Sequence, residues 1–174
     1  LYIVSIIIFI FGILKEKKSY KFFIIIPILL NFLGTLKNKD RIMFIDVLQG
    51  DSILLTVNGS VTLIDTGGVL LTNTSKYTSK FAKNRIIPYL KSIGIRKIDN
   101  LILTHGDSDH MGDSIYLVNN FKVEKVIFNC GSYNDLEQEL IKVLNKKRIK
   151  YYSCIKKLNI GNNKLYFLQT KVYD

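Results

Sequence analysis

The hydropathy of this chain changes character near residue 42, and that break constrains the fold more than any other feature. Residues 1–14, LYIVSIIIFIFGIL, carry no charge; after the basic stretch Lys15–Lys21 a second uncharged run follows, FFIIIPILLNFLGTL, residues 22–36. Ile, Leu and Phe surround these segments with no polar stripe, which suits lipid better than one wall of a soluble core. A full crossing takes about 20 apolar residues. The first run is therefore expected to be truncated at Leu1, inside a longer protein. The second gains length from Ser19, Tyr20 and the lysines at its ends, whose stems lie along apolar surface while their heads reach water. Pro27 would kink it, which membrane helices tolerate. A cleaved signal peptide needs a small-residue cleavage site, and KEKKSYK before another apolar run does not supply one. The reading is two transmembrane helices over 1–36 and a short basic linker over 37–41. Lys15, Lys17, Lys18 and Lys21 lie between the runs, against Lys37, Lys39 and Arg41 beyond the second. That excess places the loop in the cytoplasm and the rest of the chain outside it.

From residue 42 the elements become short and alternating. IMFIDVL and SILLTVN read as strands around the turn QGD, and VTLIDT follows NGS, so 42–66 is an antiparallel meander. Residues 67–80 are loop. FAKNRIIPYLKSIGI reads as a helix bent at Pro88 and ended by Gly94. IDNLILT is a strand, DHMGDSIYLVNNF a helix, VEKVIFN a strand, and NDLEQELIKVLNKK an amphipathic helix capped by Asn134. IKYYSCI and KLYFLQT are further strands. Hairpins mixed with helical crossovers imply an α/β layered sandwich. Cys130 and Cys154, the only cysteines, are 24 residues apart in apolar surroundings and read as buried thiols. A disulfide is the alternative if the domain is extracytoplasmic.

The stretch LTHGDSDHMGD, residues 103–113, holds both histidines of the chain. It leaves an apolar strand and enters a helix, where side chains of α/β folds converge on a crevice at the carboxyl ends of strands. His105, Asp107, Asp109 and His110 are four ligand-type side chains in six positions. Imidazole with carboxylate suits divalent metals, and two carboxylates bias the set towards harder ions. An acidic helix N-terminus that happens to include histidine is the simpler alternative. The net charge of +11 suits a polyanion or an anionic membrane surface, but a lysine-rich composition gives the same balance without function. No alternation of aromatic and basic residues reads as a stacking platform for bases.

H-x-D-x-D-H after an apolar strand resembles the metallo-β-lactamase superfamily signature, usually H-x-H-x-D-H. Asp107, where many members have histidine, resembles the variant of the ComEC family of DNA-uptake competence proteins. FIDVLQGDSILL (44–55) is similar to that family's opening, normally D-V-G-Q-G-D, LIDTGG (63–68) to its D-T-G-G turn, and residues 86–113 follow its helix, strand and motif order. Two departures stand out. Leu48 occupies the place of a glycine, and Asp113 stands where a second glycine is common.

The resemblance implies the first portion of a metallo-β-lactamase αββα sandwich over 42–174, joined to the end of a membrane channel. It implies two divalent ions, with manganese favoured and zinc or magnesium as alternatives. His105 and Asp107 would help hold one ion, Asp109 and His110 the other, and Asp109 would also orient the nucleophile. Asp65 would fix a ligand or its loop, while Gly67 and Gly68 would let backbones pack closely beneath the site. Asp46, Gln49 and Asp51 are expected to shape the hairpin. The implied function is a metal-dependent phosphodiesterase acting on single-stranded DNA in a multi-pass cell-membrane protein. Its implied partners are single-stranded DNA, membrane lipid and other DNA-uptake proteins. Superfamily members bring further ligands from later in the fold, whereas no histidine follows His110, and Asp135 and Asp174 lie in no comparable motif. Two alternatives follow: a membrane-anchored hydrolase of another ester or amide, in which Asp107 is unusual, and a catalytically incomplete product.

Overall fold

Alternation along the strands decides how the sheet is covered. Neighbouring residues of a strand point to opposite faces, so Leu101 and Val126 enter one core while Ile102 and Ile127 enter another. The computed structural model describes residues 40–68 and 81–168. The apolar runs of 1–36, residues 69–80 and residues 169–174 lie outside the described residues. No helix among the described residues is long and apolar enough to cross a membrane.

Strands β1 (Arg41–Phe44), β2 (Ile53–Val57) and β3 (Ser60–Ile64) form the expected antiparallel meander. A π-helical turn, Ala82–Ile86, leads into α1 (Ile87–Ser92). Pro88 lies in the first turn of α1, where its missing N–H leaves no helical bond unmade. The wider π turn thus stands where the sequence suggested a bend. The next strand is broken at Asp99 into β4 (Lys97–Ile98) and β5 (Asn100–Ile102). The expected helix after the acidic motif is two short ones, α2 (Ser108–Met111) and α3 (Ser114–Asn120), separated at Gly112 and Asp113. A second broken strand gives β6 (Lys122–Val123) and β7 (Lys125–Ile127). Then come α4 (Asp135–Lys147), β8 (Lys150–Tyr152) and the hairpin β9 (Lys157–Ile160) and β10 (Asn163–Tyr166). β9 escaped the sequence reading because Leu158 and Ile160 are its only buried apolar residues.

The main sheet runs β1-β2-β3-β5-β7-β8, antiparallel through β3 and parallel from β3 onwards. One face buries Leu54, Leu63, Leu101 and Val126 against helical residues such as Ile86, Leu90, Leu117 and Leu140. On the other, Ile102 and Ile127 pack with Leu158 and Ile160 of the small hairpin. Both broken strands meet at one cation. Lys97 Nζ bonds Asp99 Oδ1 at 2.9 Å and Glu124 Oε1 at 2.7 Å, while Asp99 Oδ2 accepts the Val61 amide at 2.7 Å.

Cys130 and Cys154 are joined in a disulfide with their Cα atoms 4.5 Å apart. The reading as buried thiols is therefore corrected. Cys154 is exposed, and the parallel pairing of β7 with β8 brings the segments after each strand side by side.

Candidate metal centre

The site begins with a buried carboxylate. Asp65 follows β3, is 1% exposed, and takes a left-handed φ of 55°. Its amide donates to Ile102 O at 2.8 Å, extending the β3–β5 ladder by one bond. This presents the side chain to the end of β5. Oδ1 accepts the Thr104 amide at 2.9 Å, and Oδ2 accepts the Thr104 hydroxyl at 2.6 Å. Oδ2 also lies 3.0 Å from His110 Nδ1. An ionised carboxylate can only accept, so His110 must carry its proton on Nδ1, and its Nε2 keeps a lone pair when the ring is neutral.

The same reasoning reaches the second imidazole. The one hydroxyl proton of Thr104 is committed to Asp65, so Thr104 Oγ1 accepts from His105 Nδ1 at 3.0 Å. His105 Nε2 is then also bare. A single buried acid thus sets both rings, one directly and one through Thr104. The ring centroids stand 3.8 Å apart with planes inclined by 48°. His105 Nε2 is 3.6 Å from Asp107 Oδ2, and His110 Nε2 is 4.0 Å from Asp109 Oδ2. Asp107 is largely exposed, whereas the His110 side chain is 17% exposed.

Glycines let the surrounding backbones close on one another. A side chain at Gly68 would collide with the Ser108 carbonyl, and its Cβ would lie 2.9 Å from Gly112 Cα. At Gly67, where φ is +64°, a Cβ would lie 2.6 Å from Val47 Cβ. Gly50, at φ +86°, faces the Asp109 carbonyl, so the β1–β2 turn sits directly against the ligand loop. The Thr66 amide donates to His110 O at 2.7 Å, and the Gly67 amide to Asp51 O at 3.0 Å. Asp46 braces the turn instead of entering the site. Its carboxylate accepts the Leu48 amide at 3.0 Å and meets Arg85 at 2.6 Å, and these two partners hold it below the usual carboxylate range. Leu48 adopts φ 64° in the place of the resembled glycine. Asp113, the other departure, is buried and accepts the Ala82 amide at 2.5 Å, fastening the π turn.

Three contributors had no part in the site as read from the sequence. Thr104 gave no signal beyond being a hydroxyl at a strand end. Asn134 was legible as a helix cap, and it does form a reciprocal capping box with Glu137. Its second role is spatial: Nδ2 donates to Gly106 O at 2.7 Å and holds the loop between His105 and Asp107. Gly50 was visible only as a turn residue.

The donors fit the beginning of a metal site. Both Nε2 atoms are bare because both Nδ1 atoms are engaged, the arrangement by which proteins orient metal-binding histidines. Among the described residues, no three His, Cys, Asp or Glu side chains already stand close enough to enclose one ion. The stretch thus offers donor pairs, not a closed cage.

Residues 45–143 match the family model described as metallo-beta-lactamase superfamily, whose members generally bind divalent metals. The chain is 34% identical over 121 residues to ComE operon protein 3 of Bacillus subtilis (strain 168), covering 65% of this chain and 15% of that protein. It is 34% identical over 76 residues to competence protein ComA of Neisseria gonorrhoeae, covering 44% of this chain and 10% of that protein. The chain therefore spans only a small part of the length of either relative. A crystal structure of a diphosphatase from the PhnP family aligns over 67% of this chain and 42% of its own, at 17% identity and a TM-score of 0.36. The chain belongs to the metallo-beta-lactamase superfamily, and its relatives join it there to the ComEC family of competence proteins.

Proposed function

We propose that this domain hydrolyses phosphodiester bonds of single-stranded DNA during DNA uptake. His105, Asp107, Asp109 and His110 hold divalent metal in this reading, with manganese favoured and zinc or magnesium as alternatives. The observation that carries it is the hold of Asp65 on both imidazoles, directly on His110 Nδ1 at 3.0 Å and through Thr104 on His105 Nδ1, which leaves both Nε2 atoms bare beside Asp107 and Asp109. Such ions, when bound, supply an activated water and neutralise charge on the phosphate. His105 and Asp107 form one donor pair, Asp109 and His110 the other. Asp109 would also orient the attacking water towards phosphorus. Asp65 keeps both rings in the metal-binding tautomer, and Asn134 fixes the loop at Gly106.

The names of the two relatives, an operon protein and a competence protein, support the uptake setting. In this reading the runs of 1–36 hold the domain at membrane lipid, beside other uptake proteins. The Cys130–Cys154 disulfide supports a place outside the cytoplasm, where such bonds persist. Incubation of the protein with end-labelled single-stranded DNA and manganese tests the activity. The expected result is metal-dependent cleavage that falls by about a hundredfold or more in Asp109→Ala. Undiminished cleavage in that variant would remove Asp109 from the mechanism, and no cleavage by the wild type with manganese, zinc or magnesium would end the proposal.

A further inference from the structure

The other end of the parallel strands carries a feature that the metal centre does not use. Asn58, Lys97, Asn100, Lys125, Arg148 and Lys150 help line a groove of about 820 Å³, with Tyr152 on its wall. The register places Lys125 directly opposite Lys150 on neighbouring strands, and Ile127 opposite Tyr152. Like charges so paired repel. Their acids are already committed, because Asp99 and Glu124 both bind Lys97. Among the described residues, Lys125, Arg148 and Lys150 have no carboxylate partner. Tyr152, two residues beyond Lys150, shares its face of the strand and is 45% exposed.

A second, independent observation lies in the same wall. Asn100 is 1% exposed, and its Oδ1 is buried with no hydrogen-bond partner. Its amide nitrogen donates to Thr62 Oγ1 at 2.9 Å. Buried acceptors are rarely left unmade in a native fold. The groove therefore combines unbalanced cations and an exposed aromatic ring above a buried, unpartnered acceptor. Phosphates and a base face match the first two in turn.

We infer that this groove binds single-stranded nucleic acid, with Lys125, Lys150 and Arg148 on the phosphates and a base stacked on Tyr152. The site is separate from the metal centre: Asn100 and His105 are five positions apart, roughly 15 Å along an extended strand. It holds a strand whether or not that strand is cut, so it does not depend on the hydrolytic reading.

The test is fluorescence anisotropy of a labelled oligothymidylate with the full chain in mild detergent, with chelator present so that metal plays no part. Lys125→Gln/Lys150→Gln should weaken binding about tenfold at low salt and flatten the salt dependence of log K by about 1.4, two phosphates at 0.7 each. Tyr152→Ala should weaken it about fivefold or more with the salt slope unchanged, and Tyr152→Phe should restore it. Lys142→Gln/Lys146→Gln removes the same charge from an exposed part of α4 and should stay within about twofold of wild type. Absence of wild-type binding, or equal losses in the two double variants, would overturn the inference. So would binding to phosphatidylglycerol vesicles, lost in Lys125→Gln/Lys150→Gln, without oligonucleotide binding. Loss of cleavage in Asp109→Ala with this binding intact would leave the groove standing.

Discussion

The two ends of β5 are built on opposite principles. At the carboxyl end, Asp65 accepts bonds from Thr104 and His110, glycines bring backbones into contact, and His105 is reached through one hydroxyl. At the amino end, Asn100 keeps a bare acceptor and Lys125 faces Lys150. The first end spends its polar groups on holding side chains still. The second leaves them unspent, as a surface that meets something else does. Rigidity suits a site that must orient ligand lone pairs, whereas unbalanced charge suits a flexible polyanion.

Removing the acid should break the rigid end most severely. Asp65→Ala strands the Thr104 amide, the Thr104 hydroxyl and His110 Nδ1, and should cost about 3–5 kcal/mol in chemical denaturation. A cost below about 1 kcal/mol would show that the network is not holding the ligand loop. Gly68→Ala drives a methyl into the Ser108 carbonyl and should cost about 2–3 kcal/mol by the same measurement. A neutral result would mean that the backbones are less closely apposed than drawn. Asn134→Ala removes both the cap of α4 and the Gly106 tie. It should cost about 1–2 kcal/mol and weaken manganese binding, while Asn134→Asp, which keeps the cap but not the amide donor, should recover stability without recovering affinity.

Two smaller effects sharpen the contrast. Leu48 holds a left-handed φ on an exposed turn, so Leu48→Gly should stabilise the fold by about 0.5–1 kcal/mol, the relief being partly offset by unfolded-chain entropy. At the amino end, Glu124 and Asp99 raise the Lys97 pKa above its usual range. A raised folded-state pKa stabilises fully below the unfolded value near 10.4 and is lost as pH rises through the folded one. Lys97 is partly exposed, so the effect is at most about 1 kcal/mol. The difference in Tm between wild type and Lys97→Met should therefore be constant through neutral pH and shrink only in strong alkali.

How much was legible follows the same division. The candidate donor stretch is continuous in the chain, so the closeness of His105, Asp107, Asp109 and His110 could be read from their spacing, and the neighbourhood of Asp65 from its D-T-G-G turn. The antiparallel meander was equally plain, because short turns fix its register. Thr104 was hidden because its importance lies in one hydroxyl that donates to Asp65 and accepts from His105. The groove was not legible at all. Lys125 and Lys150 are separated by a helix, and only the parallel pairing of β7 with β8 sets them side by side. The disulfide stood only as the alternative to buried thiols for that reason too.

One buried acid fixes the tautomers of both histidines and leaves their Nε2 atoms bare. Long-range proton–nitrogen NMR of the chain labelled at histidine nitrogen reads this directly. With only two histidines, single His105→Ala and His110→Ala variants assign the signals. With neutral rings, both should carry hydrogen on Nδ1, and Asp65→Asn should disturb both at once. A proton on Nε2 of either ring in the wild type, or an Asp65→Asn spectrum in which neither ring changes, would contradict it.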